Sequence, residues 1–332
     1  MGEFDLIKRY FQRPVRRAAL GVGDDCALLQ PAANTQMAIS SDMLVQDRHF
    51  FADVDPYKLG HKALAVNLSD LAACGAQPRA FTLALALPHA DVEWLEPFSK
   101  GLLRLADAHD CELVGGDTTR GPLNICITVM GEVTLVNGQS QALLRSGAKA
   151  GHDIYVSGNL GDARLALEAL QGKLQLAEDV LTLARVRLEQ PTPRVALGVA
   201  LRGIASAAID LSDGLLGDLQ HVLDSSRVGA TIDADVCASL IASIPYGESA
   251  THQLNAHLTV EQRRHLALSG GDDYELLFTA PVPQRQMVAK LSRQTKTRVT
   301  RIGHIEQQSG LRLLDDHGQL LPNHYRSFDH FA

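Results

Sequence analysis

Hydrophobic and polar residues follow one another along the chain in stretches that predict helices and strands in alternation. The clearest helix is predicted over residues 57–74, where Asp55 can cap the first turn and Gly75 can end the last. A second helix is predicted over about 92–109, because apolar residues recur there at three- and four-residue steps on one face. Those apolar positions are Leu95, Phe98, Leu102 and Leu105.

Strands are predicted between the helices, so the pattern indicates an α/β architecture. A polar, small-residue stretch at 145–151 suggests a boundary between a domain of residues 1–147 and a domain of residues 148–332. The strands predicted on either side of it are 37–40, 112–114, 123–133, 153–157, 205–211, 274–280 and 298–305. The helices predicted in the second half are about 160–170, 177–188, 214–225 and 284–293.

The composition is consistent with two folded domains and argues against some classes of function. The chain has 332 residues and a net charge of −7, and 45% of its residues are hydrophobic, which is ordinary for a globular protein. The acidic balance argues against nucleic-acid binding, and no apolar run is long enough for a membrane span. Acids stand at the N-terminus where a signal peptide would carry bases, and the five cysteines are scattered. We therefore expect a cytoplasmic protein without a disulfide framework.

The candidate functional residues lie where apolar runs end in a small residue followed by Asp. A further acid, Asp70, lies in the predicted helix 57–74, on the same face as Asn67. If these acids converge at the carboxyl ends of strands, their mutual repulsion requires hard cations such as Mg²⁺ bridging to phosphates. A single Asp after Gly is also a usual turn or cap residue, and Asp24 and Asp218 are interpreted in that way. The turns are Gly23-Asp24-Asp25, Ser40-Ser41-Asp42, Gly115-Gly116-Asp117, Asp210-Leu211-Ser212-Asp213 and Gly270-Gly271-Asp272-Asp273.

Familiar nucleotide motifs are missing from the sequence. There is no P-loop pattern, and Asp24 and Asp25 after Gly23 would repel the pyrophosphate of a dinucleotide. Three further residues have two interpretations each. His49 is a half-buried histidine or a substrate contact, and Arg145 is a surface arginine or a phosphate clamp. Phe328 is a tail residue docked on the core or an aromatic platform for a ligand.

The motifs, in the order in which they follow one another along the chain, resemble those of the bacterial thiamine-monophosphate kinases. The resemblance runs over nearly the whole chain. The most specific stretches are DPYKLGHKALAVNLSDLAACGAQP at 55–78 and GGDTTRG at 115–121. The family usually has Glu where Asp272 stands. The other matching stretches are GVGDDCAL at 21–28, SSDMLV at 40–45, HF at 49–50, PTPR at 191–194, AIDLSDGL at 208–215, GGDDYELLF at 270–278 and FDHF at 328–331.

The resemblance implies a two-domain PurM-like fold, shared with aminoimidazole-ribonucleotide synthetase and selenophosphate synthetase, with an N-terminal ATP- and metal-binding domain. It implies a homodimer, ATP as co-substrate and several Mg²⁺ ions. The implied metal ligands are Asp25, Ser40, Ser41, Asp42, Asp70, Asp117, Asp210 and Asp213. Asp42, Asp70, Asp117 and Asp210 are also expected to be catalytic. The implied ATP contacts are Gly116, Asp117, Arg145 and Ser212. The implied substrate contacts are His49, Asp272 and Phe328.

The implied reaction is transfer of the ATP γ-phosphoryl group to thiamine monophosphate, which gives thiamine diphosphate. The acceptor phosphate is mostly dianionic at neutral pH, so the reaction needs charge neutralisation and alignment more than a strong base. Three alternatives remain open at this stage: another ATP-dependent synthetase of the same superfamily, a non-catalytic protein that binds nucleotide or divalent ions, and a two-metal phosphohydrolase.

Overall fold

The computed structural model describes residues 2–244 and 258–327. The chain divides into two compact units, Met1–Ala142 and Leu143–Ala332. The boundary expected after residue 147 therefore falls a few residues inside the second unit. Across the described parts of the chain, none of the helices has both the length and the apolar character that a membrane span requires.

The first unit is a sheet whose strands run in the order β1-β4-β2-β3, with the short β5 paired to β4. Only the β2–β3 pair is parallel. Its elements are α1 (Glu3–Tyr10), β1 (Thr35–Val45), α2 (Pro56–Ala73), β2 (Gln77–Leu87), α3 (Val92–Ala108), β3 (Glu112–Arg120), β4 (Asn124–Val136) and β5 (Gln139–Ser140).

The two long helices form where the sequence predicts them. Asp55 accepts hydrogen bonds from the backbone N–H groups of Tyr57 (2.8 Å) and Lys58, and so caps α2. Asp91 caps α3 in the same way. The apolar side chains of α2 and α3 are buried with those of the sheet, as Leu68, Phe81 and Phe98 show with no exposed surface. Burial of this size is the main stabilising contribution to the unit.

The first sheet also has a face with exposed apolar residues. Ile39 and Met43 of β1 are 66% and 52% exposed, although they alternate with half-buried or buried residues of the same strand. β1 lies at the edge of the sheet. An edge strand with exposed apolar side chains is a surface on which another chain can pack.

The second unit is a sheet of seven strands in the order β12-β11-β8-β10-β6-β9-β7. Among the strands in residues 143–244 and 258–327, only the β8–β11 pair is parallel. Its strands are β6 (Asp153–Ser157), β7 (Ala207–Asp210), β8 (Gly229–Asp233), β9 (Leu276–Ala280), β10 (Val299–Glu306), β11 (Gly310–Leu314) and β12 (Leu320–Leu321). Its helices are α4 (Asp162–Leu170), α5 (Glu178–Glu189), α6 (Val195–Ala200), α7 (Leu215–Ser226), α8 (Ala234–Ala238), α9 (Val260–Ser269) and α10 (Arg285–Gln294).

A cluster of ion pairs around one fully buried carboxylate connects distant parts of the second unit. Glu275 has no exposed surface and accepts hydrogen bonds from Arg187 (2.6 Å) and from both Nε and Nη2 of Arg194. The hydroxyl of Ser157 donates to the same carboxylate at 2.6 Å. Because a buried carboxylate is costly without partners, the two arginines fix the segment after loop 270–274 to α5 and to the PTPR segment.

The structure confirms alternating helices and strands, and it corrects one argument made from the sequence. Both sheets are mixed and mostly antiparallel, so the rule that ligands gather at the carboxyl ends of parallel strands does not place the acids here. Asp42 and Asp117 lie inside β1 and β3. Asp210 does end its strand, β7.

Candidate active site

Two motifs of the first unit meet where β1 passes α2. The hydroxyl of Ser40 donates to Asp70 Oδ2 at 2.5 Å, and the backbone N–H of Asp42 donates to Asn67 Oδ1 at 3.0 Å. Asn67 and Asp70 are one helical turn apart and so lie on one face. The strand places Ser40 and Asp42 on one side because successive side chains alternate. One strand and one helix therefore bring Ser40 to Asp70 and the backbone of Asp42 to Asn67. The role of these residues as metal ligands stays a prediction.

Ser41 lies on the other side of the same strand. Its hydroxyl donates to the carbonyl oxygen of Ile127 at 3.1 Å and contacts the hydroxyl of Thr128 at 3.0 Å, both on β4. It thus belongs to the face that carries Ile39 and Met43 rather than the face that meets Asp70. Its role as a metal ligand stays a prediction.

His49 lies in the turn that follows β1. Its Nδ1 accepts the backbone N–H of Val45 at 2.9 Å. In the neutral ring this leaves the proton on Nε2, which can donate a hydrogen bond outward. The residue is half-buried, and its contact with substrate stays a prediction.

Asp117 is distant from Asp42 within the first sheet. The register aligns Asp42 with Ile127, Ile127 with Leu83 and Leu83 with Gly116. From β1 through β4 and β2 to β3 there are therefore three strand spacings, about 14 Å across the sheet. One ion cannot bridge Asp42 and Asp117 of the same chain over that distance.

The backbone before Asp117 is unusual. Gly116 has φ +145°, and a Cβ there would lie 1.9 Å from the carbonyl oxygen of Leu83. Only glycine fits this close approach of two strands. Asp117 itself is exposed.

Asp25 is exposed in the loop before β1, and its N–H donates to the Asp24 carboxylate at 2.8 Å. In residues 2–244 and 258–327, His, Cys, Asp and Glu side chains nowhere gather in a group of three that could hold a metal ion. The side-chain oxygens that do contact each other, Ser40 Oγ and Asp70 Oδ2, are a hydroxyl and a carboxylate oxygen. Both are ligand types that Mg²⁺ prefers.

The second unit brings two other predicted motifs together. Loop 211–214 follows β7, and loop 270–274 precedes β9. The N–H of Asp272 donates to the carbonyl oxygen of Ser212 at 2.8 Å, and the N–H of Tyr274 donates to that of Leu211 at 2.8 Å. Asp272 has φ +67°, a left-handed conformation that Asp tolerates better than most residues. Ser212, Asp213 and Asp272 therefore belong to one hydrogen-bonded assembly.

Asp218 of α7 supports this assembly. Its Oδ2 accepts the backbone N–H groups of Ser212, Asp213 and Gly214 at 3.1, 3.2 and 3.2 Å. Burial, together with the negative charge of Asp213, raises the pKa of Asp218 to about 7, although the three N–H donors act in the opposite direction. As the interpretation of Asp218 as a turn or cap residue implies, the side chain accepts backbone N–H groups. It accepts three of them, which the sequence did not indicate.

Arg145 and Phe328 remain predictions. The Arg145 side chain is exposed, and its carbonyl oxygen accepts from the hydroxyl of Ser226 at 3.4 Å. Phe328 lies outside the described residues. Asn67 and Asp218 are two residues that the sequence brought to notice without indicating a role in the site. Their signals were spacing alone, one turn before Asp70 and five residues after Asp213.

Comparison with known proteins defines the class of this protein. The model of the AIR synthase related protein N-terminal domain matches residues 23–133, and that of the C-terminal domain matches residues 149–316. The chain therefore has the two-domain PurM-like fold.

Its full-length relatives give the family. Thiamine-monophosphate kinase of Escherichia coli (strain K12) is 44% identical over 340 residues, covering 100% of this chain and 98% of the relative. The crystal structure of thiamine-monophosphate kinase from Stenotrophomonas maltophilia K279a superposes with a TM-score of 0.80 at 44% identity, over 96% of both chains. AaThiL complexed with AMPPCP and TMP gives a TM-score of 0.74 at 27% identity, over 91% of this chain and 89% of that one. The chain belongs to the thiamine-monophosphate kinase family and is a phosphotransferase.

Proposed function

We propose that this kinase transfers the γ-phosphoryl group of ATP directly, in line, to the phosphate of thiamine monophosphate. The products are thiamine diphosphate and ADP, as in the last step of thiamine diphosphate biosynthesis. The proposal is supported by two contacts between separate motifs: the hydroxyl of Ser40 donates to the Asp70 carboxylate, and the backbone N–H of Asp42 donates to Asn67. The ligands of AaThiL, AMPPCP and TMP, support the same pair of substrates here.

The acceptor phosphate supplies its own nucleophile because its second pKa is about 6. The protein therefore needs to bind, align and neutralise two polyanions. Oxygen donors would hold Mg²⁺, which when bound supplies charge neutralisation at the phosphates. These donors are Asp25, Ser40, Ser41, Asp42, Asp70 and Asp117 of the first unit, and Asp210 and Asp213 of the second.

We assign the remaining roles by the chemistry of each group. The bare backbone at Gly116 and the hydroxyl of Ser212 would contact ATP, and Arg145 would bind a phosphate by its planar guanidinium. His49 would donate from Nε2 to thiamine monophosphate, since Nδ1 is already bonded to the chain. Asp272 and Phe328 would bind the thiamine part, the latter by stacking.

We also propose that the protein is a homodimer in the cytoplasm. The exposed Ile39 and Met43 on edge strand β1 support dimerisation through this face. The five free cysteines support a reducing compartment. Light scattering should give twice the mass of the chain, and Ile39→Lys with Met43→Lys should give a monomer. Leu183→Lys, a matched change at an exposed apolar residue of α5 in the second unit, should leave the dimer intact.

The function is tested by incubating the purified protein with ATP, Mg²⁺ and thiamine monophosphate and separating the products by chromatography. We expect thiamine diphosphate and ADP in equal amounts, and no phosphate release without the acceptor. Phosphate release without an acceptor would instead indicate a phosphohydrolase, and binding without turnover would indicate a non-catalytic protein. Stable labelling of the protein by γ-labelled ATP would contradict direct transfer.

A further inference from the structure

Two loops of the second unit behave as one structural piece. We call residues 211–214 the serine loop and residues 270–274 the aspartate loop. Besides the bonds from Asp272 and Tyr274 described above, the N–H of Leu211 donates to the carbonyl oxygen of Glu275 at 2.8 Å. A Cβ on Gly271 would lie 2.6 Å from the carbonyl oxygen of Ser212. The loops thus contact backbone to backbone, so the position of one fixes that of the other.

The serine loop is in turn attached to a single buried side chain. Asp218 is 3% exposed, and its Oδ2 accepts three consecutive backbone N–H groups. Three successive N–H groups can converge on one oxygen only if the loop keeps one particular conformation. Loss of the carboxyl group would leave these donors without that acceptor, and the loop could relax.

This arrangement differs from ordinary capping of a helix. An N-cap side chain precedes its helix and accepts from the first turn, and a capping box reaches back to one N–H group. Asp218 lies inside α7, which begins at Leu215, and reaches back to three residues that precede the helix. The N-cap residue, Gly214, has no capping side chain. Asp218 therefore shapes the loop before the helix as well as the helix end.

We propose that Asp218 is a positioning residue that holds the nucleotide-binding and substrate-binding loops in register with one another. It fixes Ser212 and Asp213 directly, and it fixes Asp272 through the carbonyl group of Ser212. This inference rests on the proposed function, which assigns Ser212 to ATP, Asp213 to Mg²⁺ and Asp272 to thiamine monophosphate.

The test compares Asp218→Asn and Asp218→Ala with a matched control. Asp162→Asn is the control, because Asp162 is also buried, lies in the first turn of α4 and accepts backbone N–H groups of Ala242 (2.9 Å) and Ser243 (2.8 Å). The measurements are the Kd for AMPPCP with Mg²⁺ by calorimetry, the KM for thiamine monophosphate, kcat and the melting temperature.

We expect Asp218→Ala to raise both the Kd for AMPPCP and the KM for thiamine monophosphate by about tenfold or more, which corresponds to one or two lost hydrogen bonds. Asp218→Asn keeps an acceptor oxygen and should fall between Asp218→Ala and the unchanged protein. Asp162→Asn should change neither constant by more than about twofold, even if it lowers the melting temperature. Unchanged Kd and KM in Asp218→Ala would overturn the proposal.

A measurement on the unchanged protein covers the case in which the variants do not fold. Hydrogen exchange of the ligand-free protein should show slow exchange at the amides of residues 212–214, and exchange at the rate of exposed amides would overturn the proposal. The proposed function fails separately, if the unchanged protein forms no thiamine diphosphate. An active protein whose Asp218 variants behave like Asp162→Asn would reject the positioning role alone.

Discussion

The hydroxyl of Ser40 donates a 2.5 Å hydrogen bond to the carboxylate of Asp70, joining the middle of β1 to the last turn of α2. Thirty residues separate the two in sequence. The bond aligns two oxygen donors on facing elements, and it gives the proposed metal ligands a fixed local geometry in the first unit.

Replacing Asp70 tests this arrangement. Asp70→Ala should abolish turnover, because it removes a charged oxygen donor that no neighbouring group replaces in kind. Asp55→Ala is a matched control at the N-cap of the same helix. It should lower the free energy of unfolding by about 1 kcal/mol and leave kcat unchanged. Near-normal activity of Asp70→Ala would reject the proposed role of Asp70.

Asn67 is expected to act on activity through Asp42. Asn67 is 1% exposed, accepts from Asp42 N–H and donates to the carbonyl oxygen of Ala63 at 3.0 Å. Asn67→Ala should lower the free energy of unfolding by about 1–3 kcal/mol, because one buried and one partly buried backbone group lose their bond to this side chain. It should also lower kcat, since the backbone of Asp42 loses the hydrogen bond that positions it. Denaturant unfolding and steady-state kinetics measure both effects, and an unchanged kcat would separate Asn67 from the site.

Replacing Gly116 and, as a control, Gly138 by alanine tests how closely β3 approaches β2. Both have positive φ, but a Cβ at Gly116 meets the Leu83 carbonyl oxygen at 1.9 Å, whereas one at Gly138 meets nothing within 4 Å. Gly138→Ala should cost about 1–2 kcal/mol of unfolding free energy from backbone conformation alone. Gly116→Ala should cost clearly more, because two strands must also separate. Equal losses, measured by urea unfolding, would contradict the close approach.

The thiol of Cys74 reports on the charge of Asp70. Burial, and after it the negative charge of Asp70 one turn away, raise the pKa of Cys74. Asp70→Asn removes the second cause, so more thiolate should form and alkylation at pH 8.5 should become faster. Peptide mapping by mass spectrometry identifies the modified cysteine. Asp55→Ala should leave the rate unchanged, and a slower rate in Asp70→Asn would contradict the electrostatic assignment.

Acid should weaken the second unit through Asp235. Two hydrogen bonds from Arg264, at 2.8 and 2.7 Å, lower the pKa of Asp235 against the opposing effect of burial. A carboxyl group with a lowered folded-state pKa stabilises the protein above its unfolded pKa of about 3.9, and this contribution is lost as the pH falls towards the folded-state value.

The unfolding free energy should therefore decrease as the pH falls below about 4.5, and Asp235→Asn should decrease less steeply. Asp107→Asn is the control, because Asp107 forms a similar two-bond pair with Arg13 but is 54% exposed. It should change the pH slope little, since exposed pairs contribute about 0–1 kcal/mol. Equal slopes for Asp235→Asn and the unchanged protein would contradict the assignment.

Local signals were sufficient for most of the helices. Asp55 before an apolar run and Gly75 after it predicted α2 to within one residue at each end, because caps and glycines act on their immediate neighbours. Strands were predicted too short, as β1 at 37–40 shows against the observed Thr35–Val45. Polar residues such as Ser40 and Asp42 interrupt the apolar pattern there, although cross-strand bonds to β4 hold the strand together.

By itself, the sequence determined the alternation of elements, the motifs and the family that they indicate, since these depend on residue types and on short spacings. Only the tertiary structure decided that Ser40 bonds to Asp70, that Ser41 faces away from it, that Asp117 lies at the opposite sheet edge from Asp42, and that Asp218 holds three amides. Strand order and register bring together or separate residues far apart in the chain, and no local spacing carries that information.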